Sequence, residues 1–248
     1  MPEISKNKHL TMMGWDDVPH LDEKEMQTLL DSTPPHLHDA RRYGIPSMGV
    51  GAIYPIAETE IIIDPFEIPD YWPRVAGMDV GWNRTACVWG ARDRNAQITY
   101  LYSEYYRGEA EPAVHVHGIR SRGDWIPIAI DPAARGRGQK DGAQLFQDYT
   151  DLGLDLIASA NALEAGIYEV WQMLSEGRLK VFRTLQNWLM EYRLYRRDEK
   201  GKVVAEMNHL MDSTRYLVLT GLDHAIIQPK PRKNVVPSNR DANEYTGY

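Results

Sequence analysis

The stretch AGMDVGWNRTACVWGARD, residues 76–93, decides the fold. Its first half closes a short apolar run on an acid, Asp79; a glycine and turn residues follow, and TACVWGA opens a second alternating run. With ITYLYSEYY after the turn-rich RDRNAQ, the pattern predicts three strands, RVAGMDV, TACVWGA and ITYLYSEYY. The last two form an antiparallel hairpin that extends back to the first. A carboxylate where a buried strand finishes has two readings: it caps a turn, the commoner role of an aspartate, or it holds a metal or a phosphate.

Working outward, a helix is predicted through 110–121, and IPIAID is a short buried strand that also ends in an acid, Asp131. GAQLFQDYTDLG reads as a helix stopped by Gly153, and LDLIAS as a parallel strand. In AGIYEVWQMLSEG, the residues Ile167, Val170, Trp171 and Leu174 fall at i, i+3, i+4 and i+7, with Gly177 as the stop. Leu185, Trp188, Leu189 and Tyr192 repeat that spacing and leave Arg193, Arg196 and Arg197 near the exposed end of their helix. After a hairpin over YRRDEKGKVVAE, Asn208 is a candidate N-cap for HLMDSTRYLVLTG, a final helix that carries Asp212 and ends at Gly221. Strands, a crossover helix, then alternating strands and helices imply an α/β layered domain with a mixed sheet over 73–228.

Residues 1–72 hold eight prolines and one convincing helix, HLDEKEMQTLLDS, so they read as a connecting arm rather than a second core. The tail at 229–248 is proline-broken and polar, the composition of a disordered segment.

Length and composition bound the function. At 248 residues and 43% hydrophobic content, the chain fits one large domain, or a medium one with extensions. No run approaches the length of a membrane span, and MPEISKNKHL has no apolar stretch behind its charges, so a cytoplasmic protein is expected. A single cysteine, Cys87, excludes an internal disulfide and a cysteine-based zinc site, and reads as a packed core thiol. The net charge of −7 argues against coating nucleic acid by bulk electrostatics but allows a local basic groove beside a metal-loaded centre. Basic residues cluster at Arg120 and Arg122, at Arg135, Arg137 and Lys140, from Arg193 to Lys202, and at Lys230, Arg232 and Lys233. Each cluster is either a solvated face or a phosphate-binding surface.

Asp79 and Asp131 both end apolar strands that can be neighbours in one sheet, and Asp212 lies on a helix that can pack across them, flanked by Leu210, Met211, Leu217 and Val218. Phosphodiester hydrolysis requires the attacking and leaving oxygens to be stabilised together, and two divalent ions about 3.5 to 4 Å apart do this when carboxylates hold them. Magnesium and manganese take oxygen ligands, so carboxylates from separate elements suit them better than a sequential His/Cys motif.

GMDVGW, AIDPAARGRG and NHLMDSTRYLVL, in that order, resemble the nuclease domain of the large terminase subunit of tailed bacteriophages, a ribonuclease H-like nuclease. WDDVPHL, PPHLHDARRYGIPSMGVGAIYP and NALEAGIYEVWQMLSEGRLKV are similar to the same family, so the resemblance covers about residues 15–222. It implies a ribonuclease H-like mixed central sheet flanked by helices, and a metal-dependent DNA endonuclease that cuts concatemeric viral DNA during genome packaging with little sequence specificity. The metal-binding and catalytic acids it implies are Asp79, Asp131 and Asp212, holding two Mg2+ or Mn2+ ions, with Asp79 bridging them. The family's last motif often begins with an acid where this chain has Asn208 and His209. His209, one turn before Asp212, either assists proton transfer or orients a phosphate, or else serves as a capping histidine. Arg135, Arg137 and Lys140 follow Asp131 directly and, with Arg84 in the turn after Asp79, are the candidate DNA-backbone contacts.

The implied partners are double-stranded DNA, the portal protein, the small terminase subunit and the terminase ATPase domain, in the cytoplasm of an infected bacterium and with no membrane. No G-x-x-x-x-G-K-S/T phosphate loop occurs, so the chain reads as an excised carboxyl-terminal domain or a standalone nuclease rather than a whole motor. Two alternatives remain: a non-catalytic module that docks DNA or a portal, and an actin-like or sugar-kinase-like ATPase that would use Asp79 and Gly81 at a phosphate-bound magnesium.

Overall fold

The structure, a computed structural model, describes residues 14–15, 18, 21–31, 42–43, 51–131, 141–198 and 201–229. A seven-stranded mixed sheet forms the centre. Its strands are β1 (Ile62–Ile63), β2 (Arg74–Asp79), β3 (Thr85–Asp93), β4 (Ile98–Arg107), β5 (Ile128–Ile130), β6 (Leu156–Ala158) and β7 (Leu179–Phe182), in the spatial order β1-β7-β4-β3-β2-β5-β6. β2, β3 and β4 pair antiparallel as their alternation predicts, and β5 and β6 continue from β2 in parallel. The helices are α1 (Glu23–Asp31), α2 (Glu58–Ile61), α3 (Pro112–Arg120), α4 (Asp141–Asp151), α5 (Leu163–Ser175), α6 (Gln186–Leu194) and α7 (His209–Leu219).

Two cores lie on opposite faces of the sheet. Ala76, Met78, Cys87, Trp89, Ile128 and Ile130 pack against Val116 and Ile119 of α3 and Tyr149 of α4. Val75, Val88 and Leu101 pack with residues of α5, α6 and α7 on the other. The period-2 alternation of β2 therefore sends Ala76 and Met78 to one side, and Val75, Gly77 and Asp79 to the side of α7. Leu210, Met211 and Leu217 of α7 are fully buried there, each contributing about 1.5 to 3 kcal/mol of apolar burial. Cys87 is a buried core thiol, as expected, and burial pushes it well above the usual thiol range.

Gly77 fixes how closely α7 can approach. A Cβ at this position would lie 1.9 Å from the Ser213 carbonyl oxygen, so the helix backbone rests directly on the strand. Glycine stops also end two helices as predicted: Gly153 and Gly177 take φ of +93° and +71°.

Several elements differ from the sequence reading. LKVF at 179–182, where the pattern assigned no element, is a strand and lies parallel to both β4 and β1. The stretch before residue 72 adds α2 and β1 to the single predicted helix, and its Ile53, Tyr54 and Ile61 enter the core of the α5–α7 face. Both strands are too short to show a period. The final helix ends at Leu219 rather than Gly221, which instead opens a 3-10 turn, Gly221–His224. Arg193 is not at an exposed end: its guanidinium forks onto Glu58, with Nη2 to Oε2 at 2.7 Å. Arg197 pairs with Glu164 at 2.6 Å, so two members of that basic cluster are committed to ion pairs. The 195–206 hairpin shows the bridge between Arg197 and Val203. Among the described residues no helix is long and apolar enough to cross a membrane.

Candidate metal and nucleic-acid site

Strand register brings the first two acids together. Met78 pairs with Ile130 across the parallel β2–β5 ladder, so Asp79 and Asp131 leave adjacent strands at the same level. Neighbouring strands lie about 4.8 Å apart. Ile128 and Ile130 share the core of Met78, which puts Asp131 in phase with Ala129, on the α7 side of the sheet.

The third acid arrives with α7. His209 and Asp212 are three residues apart, hence on one helix face. His209 Nδ1 lies 2.8 Å from Asp79 Oδ2. Asp212 accepts from Arg215 Nη2 at 3.0 Å and from Asn208 Nδ2 at 2.7 Å. Asn208 occupies the N-cap position but makes no side-chain capping bond; its amide is spent on Asp212 instead. The Tyr216 phenol is raised chiefly by burial; Arg215 opposes this, and Asp212, Asp131 and Asp79 all add to it, so one hydroxyl feels all three carboxylates.

The electrostatics follow from this crowding. Burial pushes the Asp212 carboxyl up to about 6, with Arg215 opposing and Asp79 adding. For His209, burial disfavours the imidazolium, but the bond to Asp79 and the charges of Asp79 and Glu191 outweigh it, and the net shift is upward. Arg84 acts the other way on the same ring, which locates the turn after Asp79 at the rim of the site.

Beneath the first turn of α7 lies a residue that the sequence reading missed. Glu191 of α6 is fully buried, accepts the Tyr106 hydroxyl at 2.6 Å and receives the Leu210 backbone N–H. Burial lifts its carboxyl to about 7 against those two bonds and the pull of His209. Tyr106 in turn carries Arg84, whose guanidinium lies 4.4 Å from the ring centroid. A second acid, Glu104 of β4, receives the backbone N–H groups of Asn187 and Trp188 at 3.0 and 2.9 Å and anchors the start of α6. The signal for Glu104 was an acid inside a largely apolar strand; Glu191 lies off the Leu185, Trp188, Leu189 and Tyr192 stripe and carried none.

Asp79, Asp131, Asp212, His209 and Arg84 are thus gathered at one sheet edge. Arg135, Arg137 and Lys140 lie outside the described residues. The donor set, hard carboxylate oxygens around one imidazole, fits magnesium or manganese, and a divalent cation would favour the ionised Asp212 that burial, and then Asp79, disfavour. Among the described residues, no group of three or more His, Cys, Asp or Glu side chains is arranged to hold an ion as it stands. Asp79 is engaged by His209 through Oδ2, and Asp212 by Arg215 and Asn208, contacts that an ion held here would compete with.

Three antiparallel strands continued by parallel ones, with acids at two neighbouring strand ends and on the helix across them, define a ribonuclease H-like domain. Residues 76–220 match the family model of the terminase RNaseH-like domain, and the chain belongs to that family. It is 33% identical over 223 residues to the large terminase subunit of Salmonella phage P22, covering 86% of this chain and 44% of that protein. The large terminase subunit of Enterobacteria phage LP7 is also 33% identical, with 86% and 46% covered. The chain therefore spans a little under half the length of the curated relatives it matches. The P22 large terminase nuclease domain superposes with a TM-score of 0.68 at 31% identity, over 73% of this chain and 97% of that one. The large terminase of a thermophilic bacteriophage, in complex with ADP, shares the fold, with a TM-score of 0.60 at 19% identity over 84% and 54% of the two chains.

Proposed function

We propose that this chain is a divalent-metal-dependent DNA endonuclease that cuts concatemeric viral DNA during genome packaging, with little sequence preference. The observation that carries this reading is the common level of Asp79 and Asp131 on neighbouring strands, with His209 bonded to Asp79 and Asp212 one turn further along α7. Asp79, Asp131 and Asp212 would hold Mg2+ or Mn2+, two ions in this reading with Asp79 shared. When bound, such ions activate water as a nucleophile and stabilise the attacking and leaving oxygens of a phosphodiester.

The chain's own residues supply the rest. Arg84, held against Tyr106, takes a backbone phosphate at the rim. Arg215 and Asn208 fix the rotamer of Asp212, and Glu191 fixes the first turn of α7 that carries His209. His209, its imidazolium favoured by Asp79, gives up a proton or steadies a phosphate oxygen beside the acids. Residues 73–228 form the nuclease domain in this reading, with the preceding segment leading toward an ATPase domain. The portal and the small terminase subunit are its partners in the infected cell.

The engaged state of Asp79 and Asp212 favours one second reading, a non-catalytic module that docks DNA or a portal through the same fold. Plasmid degradation in Mn2+, in Mg2+ and in chelator, by wild type and Asp79→Ala, separates the two. The nuclease reading expects cleavage by wild type in either metal, none in chelator and none by the variant. Equal cleavage by the variant removes the proposed centre, and no cleavage by either leaves the docking module.

A further inference from the structure

Trp82 stands three residues beyond Asp79 and is 66% exposed, the largest of the exposed apolar side chains among the described residues. A lone exposed hydrophobic side chain needs no special explanation. This one differs because its backbone is held from several sides. Glu109 N–H donates to the Trp82 carbonyl at 2.9 Å. Thr85 Oγ1 donates to the Gly81 carbonyl at 3.2 Å. Gly108 packs so near that a Cβ there would lie 2.1 Å from the Asn83 oxygen. Arg84 is stacked on Tyr106. The indole is thus carried to solvent on a turn fixed at both ends, two residues before Arg84.

An exposed aromatic side chain on a fixed turn, two residues from Arg84 and three from Asp79, matches the chemistry that receives a nucleobase. Stacking accepts any base because each has a π face, and the neighbouring guanidinium takes the phosphate. A base inside an intact duplex has its faces covered by its neighbours, so an indole on a rigid turn gains most from a base that is unpaired. We propose that Trp82 is a stacking platform for an unpaired base of the DNA strand lying against Asp79, giving the site a preference for locally melted or frayed DNA. This inference rests on the nuclease reading of the same site.

The test measures binding, in chelator so that nothing is cut, by fluorescence polarisation. The probes are a labelled single strand, its fully paired duplex, and the same duplex with a central unpaired bubble; the proteins are wild type, Trp82→Ala and Trp82→Phe. Wild type is expected to bind the bubble and the single strand more tightly than the duplex. Trp82→Ala is expected to lose about tenfold on the unpaired probes, within the range of one stacked base, and less than about twofold on the duplex. Trp82→Phe, which keeps a smaller ring, is expected to retain most of the affinity. Equal affinity of wild type and Trp82→Ala for the bubble overturns the inference, as does an equal loss on all three probes. If wild type cuts plasmid and Asp79→Ala does not, such a result sinks Trp82 alone and leaves the nuclease reading. A wild type that binds none of the probes sinks the inference, and plasmid cleavage in Mn2+ decides the nuclease reading separately.

Discussion

His209 and Asp79 sit 2.8 Å apart across 130 positions of chain, joining the first turn of α7 to the end of β2. The contact is what raises the histidine against its burial. In the metal-free protein, Asp79→Asn should therefore lower the His209 pKa, because burial and Arg84 are left with less to oppose them. A proton NMR titration of the imidazole reads this directly. An unchanged midpoint would mean that Glu191 alone sustains the shift.

Replacement of His209 by alanine should leave the fold in place, since its side chain is 30% exposed, and slow cleavage by about a hundredfold or more. Single-turnover cleavage in Mn2+ checks the rate, and circular dichroism the fold.

Gly77→Ala should be among the most damaging small changes in the molecule. The added methyl meets the Ser213 carbonyl at 1.9 Å, and backbone cannot swing aside as a side chain can. A loss of about 3 kcal/mol or more is expected in urea unfolding. Weakened metal binding should accompany it, because lifting α7 separates Asp212 from Asp79.

Glu191 predicts a pH dependence of stability. Its folded pKa, about 7, stands above the ordinary 4.5, so the folded state holds the proton more tightly. The resulting stability is complete below pH 4.5 and is lost as pH rises through about 7, amounting to about 3 kcal/mol. Glu191→Gln, neutral throughout, should flatten the thermal stability of the metal-free chain between about pH 4.5 and 7, relative to wild type. Identical slopes for the two proteins would exclude Glu191 as the source.

Arg84→Ala should weaken duplex binding and reduce the salt dependence by about one phosphate contact, a change in log–log slope of about 0.9. Polarisation over a salt series reads it.

Much of this arrangement was legible in the sequence because it rests on local patterns. Alternation in RVAGMDV and TACVWGA, and the acid closing IPIAID, fix both the sheet and the face to which Asp79 and Asp131 belong. The spacing of His209 and Asp212 on a predicted helix puts them together. What escaped was non-local. Glu191 looks like an ordinary polar position on an amphipathic helix until Tyr106 and Leu210 arrive from elsewhere in the chain. β1 and β7 span two and four residues and acquire their identity only by pairing. Arg193 and Arg197 look like a basic surface until Glu58 and Glu164 are placed opposite them.

If Asp79, Asp131 and Asp212 together hold hard divalent cations, the most direct measurement is anomalous scattering from crystals of this chain soaked in Mn2+. The predicted result is manganese peaks bounded by carboxylate oxygens of all three residues, with His209 displaced from Asp79. Manganese bound only elsewhere on the molecule, with the His209 to Asp79 contact intact, would contradict it.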